Sequence, residues 1–146
     1  MRNLWTRLSL ALLAVLPAAC SAMIPISLSG SLAQPAAVFG ADVSKPERAC
    51  VSSLDIYDPS DRSQSVWAIR HRGEGCANLR QITYGVAPRG FDTTTSPKPL
   101  KASVRYQVLG SGLTGGMFAR VPWRGGGDFI FEDGQWRAAT ASPPAN

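Results

Sequence analysis

The sequence has few of the residues from which catalytic and metal sites are commonly built. Its 146 residues include one histidine, His71, and three cysteines, Cys20, Cys50 and Cys76. A protein zinc site needs three or four ligands. No Gly-x-Ser-x-Gly motif is present to carry the nucleophilic serine of a hydrolase. The sequence therefore predicts no metal and no cofactor, and it leaves His71 with a neighbouring serine or aspartate as the one route to hydrolysis.

Basic residues are scattered, and they form no Lys/Arg run. The sequence has 15 Lys and Arg against 10 Asp and Glu, which gives a net charge of +5. Proteins that bind nucleic acid concentrate such charge in one patch or stripe, so the scatter argues against nucleic acid as a partner. Asp55, Asp58 and Asp61 recur every three residues without the loop pattern of a calcium site, and we interpret them as solvated turn carboxylates.

No apolar run is long enough to cross a bilayer as a helix. The run at residues 8–16 is far shorter than the roughly 20 residues that such a helix needs. It follows two arginines and precedes small residues, and no acidic residue occurs before Asp42. This order of parts is typical of a secretory signal. We predict a signal segment over residues 1–22.

Three cleavage positions are compatible with that segment. Residues 16–20, Leu-Pro-Ala-Ala-Cys, resemble a bacterial lipobox, in which Cys20 becomes the lipidated first residue, although Pro17 departs from the pattern. Ordinary cleavage after Ala22 or after Ala33 also fits the small-residue rule. We expect a periplasmic protein, an outer-membrane lipoprotein or a freely secreted protein. Contact with a membrane is expected only through a lipid on Cys20.

Cys50 and Cys76 form an even pair once Cys20 is lipidated or removed. In an oxidising compartment such a pair is typical of a disulfide. Folding the segments 50–57 and 65–72 back on each other about Asp61 places Cys50 opposite roughly residue 72. The predicted disulfide closes the open end of this hairpin.

The rest of the chain divides by composition and by periodicity. Residues 23–47 are rich in Pro, Ala and Ser without a sustained period, which indicates a flexible linker. Residues 48–140 contain short alternating runs bounded by turn residues, which predict an all-β domain, an antiparallel sandwich or barrel of about six or seven strands. Residues 141–146 form a disordered tail in this interpretation. The predicted strands are 50–57, 65–72, 80–86, 102–109 and 117–121, with a long polar connection at 92–99 and a hairpin turn at Asp133–Gly134.

A glycine-rich motif follows the strand predicted at 102–109. Residues 110–115, Gly-Ser-Gly-Leu-Thr-Gly, match the spacing of a dinucleotide-binding loop. That loop requires a helix, and Pro122 follows too soon for one. We therefore interpret residues 110–115 as a flexible β-turn.

The tryptophans divide into core residues and one candidate contact residue. Trp67 and Trp136 alternate with apolar neighbours, which predicts that both are buried. Trp123 lies beside Arg124 in a segment with the composition of a turn. Because an exposed indole next to an arginine is a common binding contact, Trp123 and Arg124 are candidate contacts for a partner, either an envelope protein or a glycan. The alternative is that Trp123 packs over the edge of a sheet.

Two short patterns are similar to those of a known group of sequences. Trp67-Ala68-Ile69, with the later run Tyr-Gly-Val-Ala-Pro-Arg-Gly-Phe at residues 84–91, resembles small exported proteins of bacteria, over roughly residues 66–108. The resemblance implies an immunoglobulin-like sandwich, and it implies no activity. The sequence thus predicts an exported module for binding or for envelope structure. The alternative is a small secreted hydrolase that uses His71.

Overall fold

The computed structural model describes residues 22–40, 49–114 and 121–139. The signal segment predicted over residues 1–22 lies outside these ranges up to residue 21, and so does Cys20. Most of the strand predicted at 117–121 and the whole of the tail predicted at 141–146 also lie outside them. Within the described residues, no helix is long and apolar enough to cross a membrane.

The described chain is all-β, as predicted, and contains eleven strands. They are β1 (Ala22–Met23), β2 (Ile26–Gly30), β3 (Pro35–Phe39), β4 (Cys50–Asp58), β5 (Asp61–His71), β6 (Ala77–Asn78), β7 (Gln81–Thr83), β8 (Phe91–Thr95), β9 (Arg105–Thr114), β10 (Val121–Glu132) and β11 (Gln135–Ala138). The predicted six or seven strands are too few, because five of these strands fall in segments for which the sequence predicted no strand.

The strands form two sheets that share a core. The large sheet has eight strands, with β1-β10-β9-β4-β5-β8 in order, β11 beside β10 and β6 beside β4. The small sheet has the order β2-β3-β7. All strand pairs described are antiparallel except β1 with β10, which are parallel. Buried side chains from both sheets meet in one hydrophobic cluster.

Alternation along the central strands explains why they pack. In β4, Leu54 and Ile56 point into the core, and in β5 Trp67 and Ile69 do the same; all four side chains are essentially fully buried. The predictions of strands at 50–57 and 65–72 are confirmed. The burial of Trp67 is confirmed too, whereas Trp136 lies only partly buried at the rim of the cluster.

The prediction of a flexible linker over residues 23–47 is wrong for residues 23–40. Strands β2 and β3 lie in this segment, and Ile26, Leu28 and Phe39 belong to the core. Each strand is only five residues long, so its alternation is too brief to stand out among Pro, Ala and Ser. Residues 41–48 lie outside the described ranges. The folded domain therefore includes a segment that the sequence assigned to the linker.

The polar connection predicted at 92–99 is wrong in its first half. Residues Phe91–Thr95 form β8 at the edge of the large sheet, paired with β5. Threonine is β-branched and favours a strand, while an edge position leaves its hydroxyl in water. A polar segment can therefore be a strand when only one neighbour contacts it.

The β-turn predicted at residues 110–115 is wrong for residues 110–114, which continue β9. Gly110 and Gly112 lie on the core face of this strand. A Cβ atom on Gly112 would overlap the carbonyl oxygen of Cys50 and would approach Trp123 Nε1 to 2.7 Å. These glycines therefore make room for a neighbouring side chain and for the adjacent backbone.

The predicted disulfide and the predicted hairpin are both present. Cys50 and Cys76 are bonded, with 5.1 Å between their Cα atoms. β10 and β11 are joined through Asp133 and Gly134, whose φ angles are 52° and 75°. Two positive φ angles in a two-residue turn are the requirement of a type I′ hairpin.

Candidate functional site

A cleft of about 500 Å³ opens at the end of the large sheet where β4 turns into β5. Its volume falls in the range of small-ligand sites. We call it the polar cleft, and its lining consists of Asp58, Asp61, Gln64, Val66, Lys98, Pro99, Lys101, Val104 and Tyr106. Charged groups of both signs therefore meet at one opening.

The β4–β5 turn supplies the two carboxylates of the polar cleft. Asp58 and Asp61 face each other as the last pair of the hairpin. Asp58 Oδ1 accepts hydrogen bonds from the backbone N–H of Ser60 at 2.9 Å and from its hydroxyl at 2.6 Å. These two bonds stabilise the ionised form, and they lower the pKa of Asp58 below its ordinary value. The carboxylate is thus held in place and kept charged.

The segment at residues 96–104, between β8 and β9, supplies the two lysines. It has no regular secondary structure, but two tyrosines hold its backbone. The Tyr84 hydroxyl donates to the Lys98 carbonyl at 2.7 Å, and the Lys101 N–H donates to the Tyr106 hydroxyl at 2.9 Å. The backbone N–H of Lys98 also donates to the carbonyl of Val66 at 3.0 Å. The lysines therefore start from fixed backbone positions.

Both tyrosines are kept neutral by their surroundings. Burial raises the pKa of Tyr84 to about 12. Burial also raises the pKa of Tyr106 above its ordinary value, with a smaller contribution in the same direction from Asp58. A neutral hydroxyl can donate to a carbonyl as Tyr84 does. Tyr84 therefore keeps the proton that it donates to the Lys98 carbonyl throughout the physiological pH range.

The side chains of Lys98, Lys101 and Asp61 are exposed at the polar cleft. Lys101 lies close enough to Asp58 to contribute to the lowering of its pKa. Val66, Pro99 and Val104 add apolar wall between the charged groups. Among the lining residues of the polar cleft there is no histidine or cysteine. The arrangement suits binding by complementary charge, and it offers no histidine-assisted nucleophile.

A second polar cluster lies on the outer face of the large sheet. Arg70 donates two hydrogen bonds to Asp55, from Nη1 to Oδ2 at 2.6 Å and from Nη2 to Oδ1 at 3.0 Å. Asp55 is 8% exposed. The Ser53 and Ser111 hydroxyls share a hydrogen bond beside this pair. Because the guanidinium is already engaged by a buried carboxylate, we interpret the Asp55–Arg70 pair as a structural contact between β4 and β5.

His71 is half-buried at the end of β5, away from the polar cleft. Its ring meets Phe91 edge-on, with 5.3 Å between the ring centroids. Its Nδ1 atom is buried and has no hydrogen-bond partner within the described residues. No group of three or more His, Cys, Asp or Glu side chains in the described ranges could hold a metal ion. The hydrolase alternative thus gains no catalytic partner for His71 from this geometry.

The prediction that Trp123 contacts a partner is wrong. Its side chain is fully buried, its Nε1 donates to the Cys50 carbonyl at 3.0 Å, and its ring packs edge-on against Phe39. The segment with a turn-like composition is in fact the start of β10. Proline has no backbone N–H to donate to a neighbouring strand. Pro122 is tolerated in β10 because the edge of β10 that faces away from β9 has no strand partner at this residue in the described chain; β1 pairs only with Trp123 and Arg124.

Arg124 does lie at the surface, on the face of β10 opposite Trp123. It is paired across the sheet with Ser111 on one side and with Met23 on the other. Its role as a partner contact stays a prediction.

Sequence reasoning missed the polar cleft as a site. The sequence indicates the turn at residues 58–61 and its carboxylates, but nothing local connects Asp58 with Lys98 or Lys101. Those residues are 40 or more positions apart in the sequence. The only local sign of the other wall of the polar cleft is a proline-containing segment in which Lys98 and Lys101 lie close together. Neither a family of proteins, nor a curated protein, nor a solved structure matches this chain when it is compared with them.

Proposed function

We propose that this chain is an exported binding module of the cell envelope, and that its polar cleft holds a polypeptide segment of another envelope protein. The observation that carries the proposal is the meeting of two carboxylates and two ammonium groups at one opening of about 500 Å³. Charges of both signs in a cleft select a ligand that carries both signs in the complementary order. A segment of polypeptide with Lys and Glu side chains is such a ligand.

A neutral glycan is the weaker partner because it offers no charge to either pair. Its hydroxyls would have to replace water around four ions without neutralising any of them. Tyr106, the aromatic residue of the lining, is buried and presents little ring surface to the opening. The charged and apolar parts of the lining favour a peptide over a sugar.

The placement in the envelope rests on separate support. The Cys50–Cys76 bond is typical of a protein that folds outside the reducing cytosol. The signal pattern of residues 1–22 and the lipobox-like residues 16–20 support export and lipidation of Cys20. Two sheets around a shared core support an immunoglobulin-like sandwich as the finer description of the fold.

Binding to defined probes tests the proposal. Peptides of equal length that alternate Lys with Glu, or contain only Lys or only Glu, are titrated into the purified domain by calorimetry, together with a neutral oligosaccharide. We expect the mixed-charge peptide to bind best. The double variant Lys98→Glu/Lys101→Glu should weaken its binding at least tenfold. The matched control Arg80→Glu/Arg89→Glu makes the same change of net charge outside the polar cleft and should leave binding unchanged.

Two results would contradict the proposal. One is equal affinity of both double variants for the mixed-charge peptide, which would place binding elsewhere or reduce it to net charge. The other is a neutral oligosaccharide that binds more tightly than any of the peptides.

A further inference from the structure

The first described strand and the polar cleft lie at opposite ends of the large sheet. β1 runs parallel to β10, and Ala22 pairs with Trp123 near the first residue of β10. The pairs Thr114–Val121 and Cys50–Leu113 mark the same end of the sheet. The Asp58–Asp61 pair, which supplies the carboxylates of the polar cleft, marks the other end.

The separation between these ends follows from strand geometry. β4 runs the whole way, from Cys50 at one end to Asp58 at the other. At about 3.3 Å per residue, its nine residues span roughly 25 to 30 Å. A molecule held by its first strand therefore carries the polar cleft well away from the point of attachment.

A lipid on Cys20 would leave a very short tether. Ser21 alone separates Cys20 from β1. One residue of extended chain reaches about 3.5 Å, so the first strand would lie within a few ångströms of the lipid head groups. A tether of this length keeps the end of the large sheet at β1 close to the bilayer.

The residues at that end fit a bilayer surface. Met23 is 78% exposed, the highest value among the exposed large apolar side chains of the described ranges. Arg124 is exposed beside it as its partner across the sheet, and Pro122 is exposed one residue before Trp123. The described residues of β1, of the end of β9 at 111–114 and of the start of β10 at 121–125 include no carboxylate. An apolar side chain next to an arginine suits the boundary between acyl chains and anionic head groups.

We infer that the surface formed by Met23, Pro122 and Arg124 lies against an anionic lipid bilayer, and that the polar cleft points away from it. This inference rests on the lipidated form of the proposed function. It assigns the cleft to partners in the aqueous compartment, at some distance from the membrane in which the protein is anchored.

Depth measurements on the lipidated full-length protein test this orientation. Nitroxide labels are placed on single cysteines introduced as Arg124→Cys or Ser60→Cys, and each protein is reconstituted into vesicles of phosphatidylethanolamine and phosphatidylglycerol. Relaxation by dissolved oxygen reports contact with lipid, and relaxation by a water-soluble nickel chelate reports exposure to water. We expect the label at 124 to be at least fivefold less accessible to nickel than the label at 60.

A variant separates the surface from the tether. This variant carries the label at Ser60→Cys together with Met23→Asp and Arg124→Glu, and it keeps Cys20. We expect the domain to rotate more freely on the vesicle, which would narrow the nitroxide spectrum. Equal nickel accessibility at the two label positions, or greater protection at 60, would overturn the orientation.

Mass spectrometry of the mature N-terminus distinguishes a failure of the lipid anchor from a failure of the orientation. A diacylglyceryl group on Cys20 together with equal label depths overturns the orientation and leaves the anchor in place. A free N-terminus at Met23 or Gln34 overturns the anchor, and the orientation with it, while binding of peptides by the polar cleft is tested independently on the soluble domain.

Discussion

Trp123 occupies space that glycines on the neighbouring strand leave open. Gly110 and Gly112 stand on the core face of β9, where a Cβ atom on either would press against the indole or its neighbours. The indole N–H then reaches the Cys50 carbonyl on β4, two strands away. One buried side chain thus connects three adjacent strands at the end of the sheet where the disulfide lies.

Replacement of Gly112 by alanine should therefore destabilise the protein strongly. The added methyl group would overlap the Cys50 carbonyl, which is backbone and cannot move aside cheaply. Overpacking of a core commonly costs about 1 to 3 kcal/mol, and a clash with backbone belongs at the upper end or above. Urea denaturation measures the loss. Gly127→Ala is the control, since its methyl group would meet only the Phe129 ring at 3.4 Å; a loss as large as that of Gly112→Ala would contradict the argument.

The Asp55–Arg70 pair should respond unequally to removal of its two members. Asp55 has an 11% exposed side chain, whereas that of Arg70 is 47% exposed and can regain water. Arg70→Leu leaves a buried carboxylate unpaired and should cost about 3 kcal/mol; Asp55→Asn should cost only about 1 kcal/mol. Arg72→Leu, which removes the exposed pair with Asp92, should cost less than 1 kcal/mol. Equal losses for Arg70→Leu and Arg72→Leu in thermal unfolding would show that burial of Asp55 does not matter.

At the scale of elements, the β4–β5 hairpin is held at both ends. Its turn is closed by the Asp58 hydrogen bonds to Ser60, and its open end by the Cys50–Cys76 disulfide. Between them the two strands pair with a register shift near Tyr57. A hairpin fixed at both ends gives the polar cleft a rigid wall.

Loss of the disulfide should cost a large part of the total stability. The bonded cysteines are 26 residues apart, and in the chain-entropy model a loop of this length contributes about 3 to 4 kcal/mol. The double variant Cys50→Ala/Cys76→Ala should lose this amount in denaturant titrations without reductant. The native protein should lose a similar amount when dithiothreitol is added, and the double variant should not respond to it. A native protein that is equally stable with and without reductant would contradict this expectation.

The 96–104 segment is an irregular element whose position depends on tyrosine hydroxyls. Tyr84 donates to it and Tyr106 accepts from it, and burial keeps both hydroxyls protonated. Ionisation of Tyr84 would remove the proton that it donates to Lys98. The lysine wall of the polar cleft is therefore sensitive to strongly alkaline pH.

Stability should fall as the pH rises from about 10 to about 12. Tyr84 has a pKa of about 12 in the folded protein and ionises near 10 when unfolded, so the unfolded chain loses this proton first. The contribution is fully present below pH 10 and is lost towards pH 12. Tyr84→Phe should reduce this alkaline loss and should cost about 1 kcal/mol at neutral pH. Denaturant titrations at several pH values measure both effects, and an unchanged alkaline loss in Tyr84→Phe would contradict the assignment.

At the scale of the whole molecule, the small sheet completes the core of the large one. β2 and β3 contribute Ile26, Leu28 and Phe39 to the hydrophobic cluster that also contains Trp67 and Trp123. The Trp136 indole N–H, on β11, donates to the Ser31 carbonyl between β2 and β3. The two sheets therefore share one core, and residues 22–40 contribute to it.

Cleavage after Ala33 should abolish folding. It would remove β1 and β2, together with the buried side chains of Ile24, Ile26 and Leu28. Burial of each such side chain contributes about 1.5 to 3 kcal/mol, and the sum is comparable to the whole stability of a domain. A chain that starts at Gln34 should show no cooperative thermal transition, whereas one that starts at Ala22 should. Cooperative unfolding of the shorter chain would show that β2 is dispensable.

Alternation in β4 and β5, the even cysteine pair and the Asp133–Gly134 turn were sufficient to predict an all-β fold, the β4–β5 hairpin and the disulfide. These features are local, or depend on a pairing that a hairpin makes by itself. Strands β2 and β8 were missed because short or edge strands owe their structure to the neighbours that they contact. The polar cleft was missed because its two walls come from distant segments.

The sequence by itself determined the alternation in β4 and β5 and the turn at Asp133–Gly134, since both follow from backbone geometry over a few residues. It also determined the pairing of Cys50 with Cys76, since these two remain once Cys20 is set apart. Only the tertiary structure decided that Trp123 is buried, that residues 22–40 belong to the folded domain and that two lysines and two carboxylates line one cleft. Those outcomes depend on which surfaces meet when two sheets pack, and burial of a side chain is a property of everything that surrounds it.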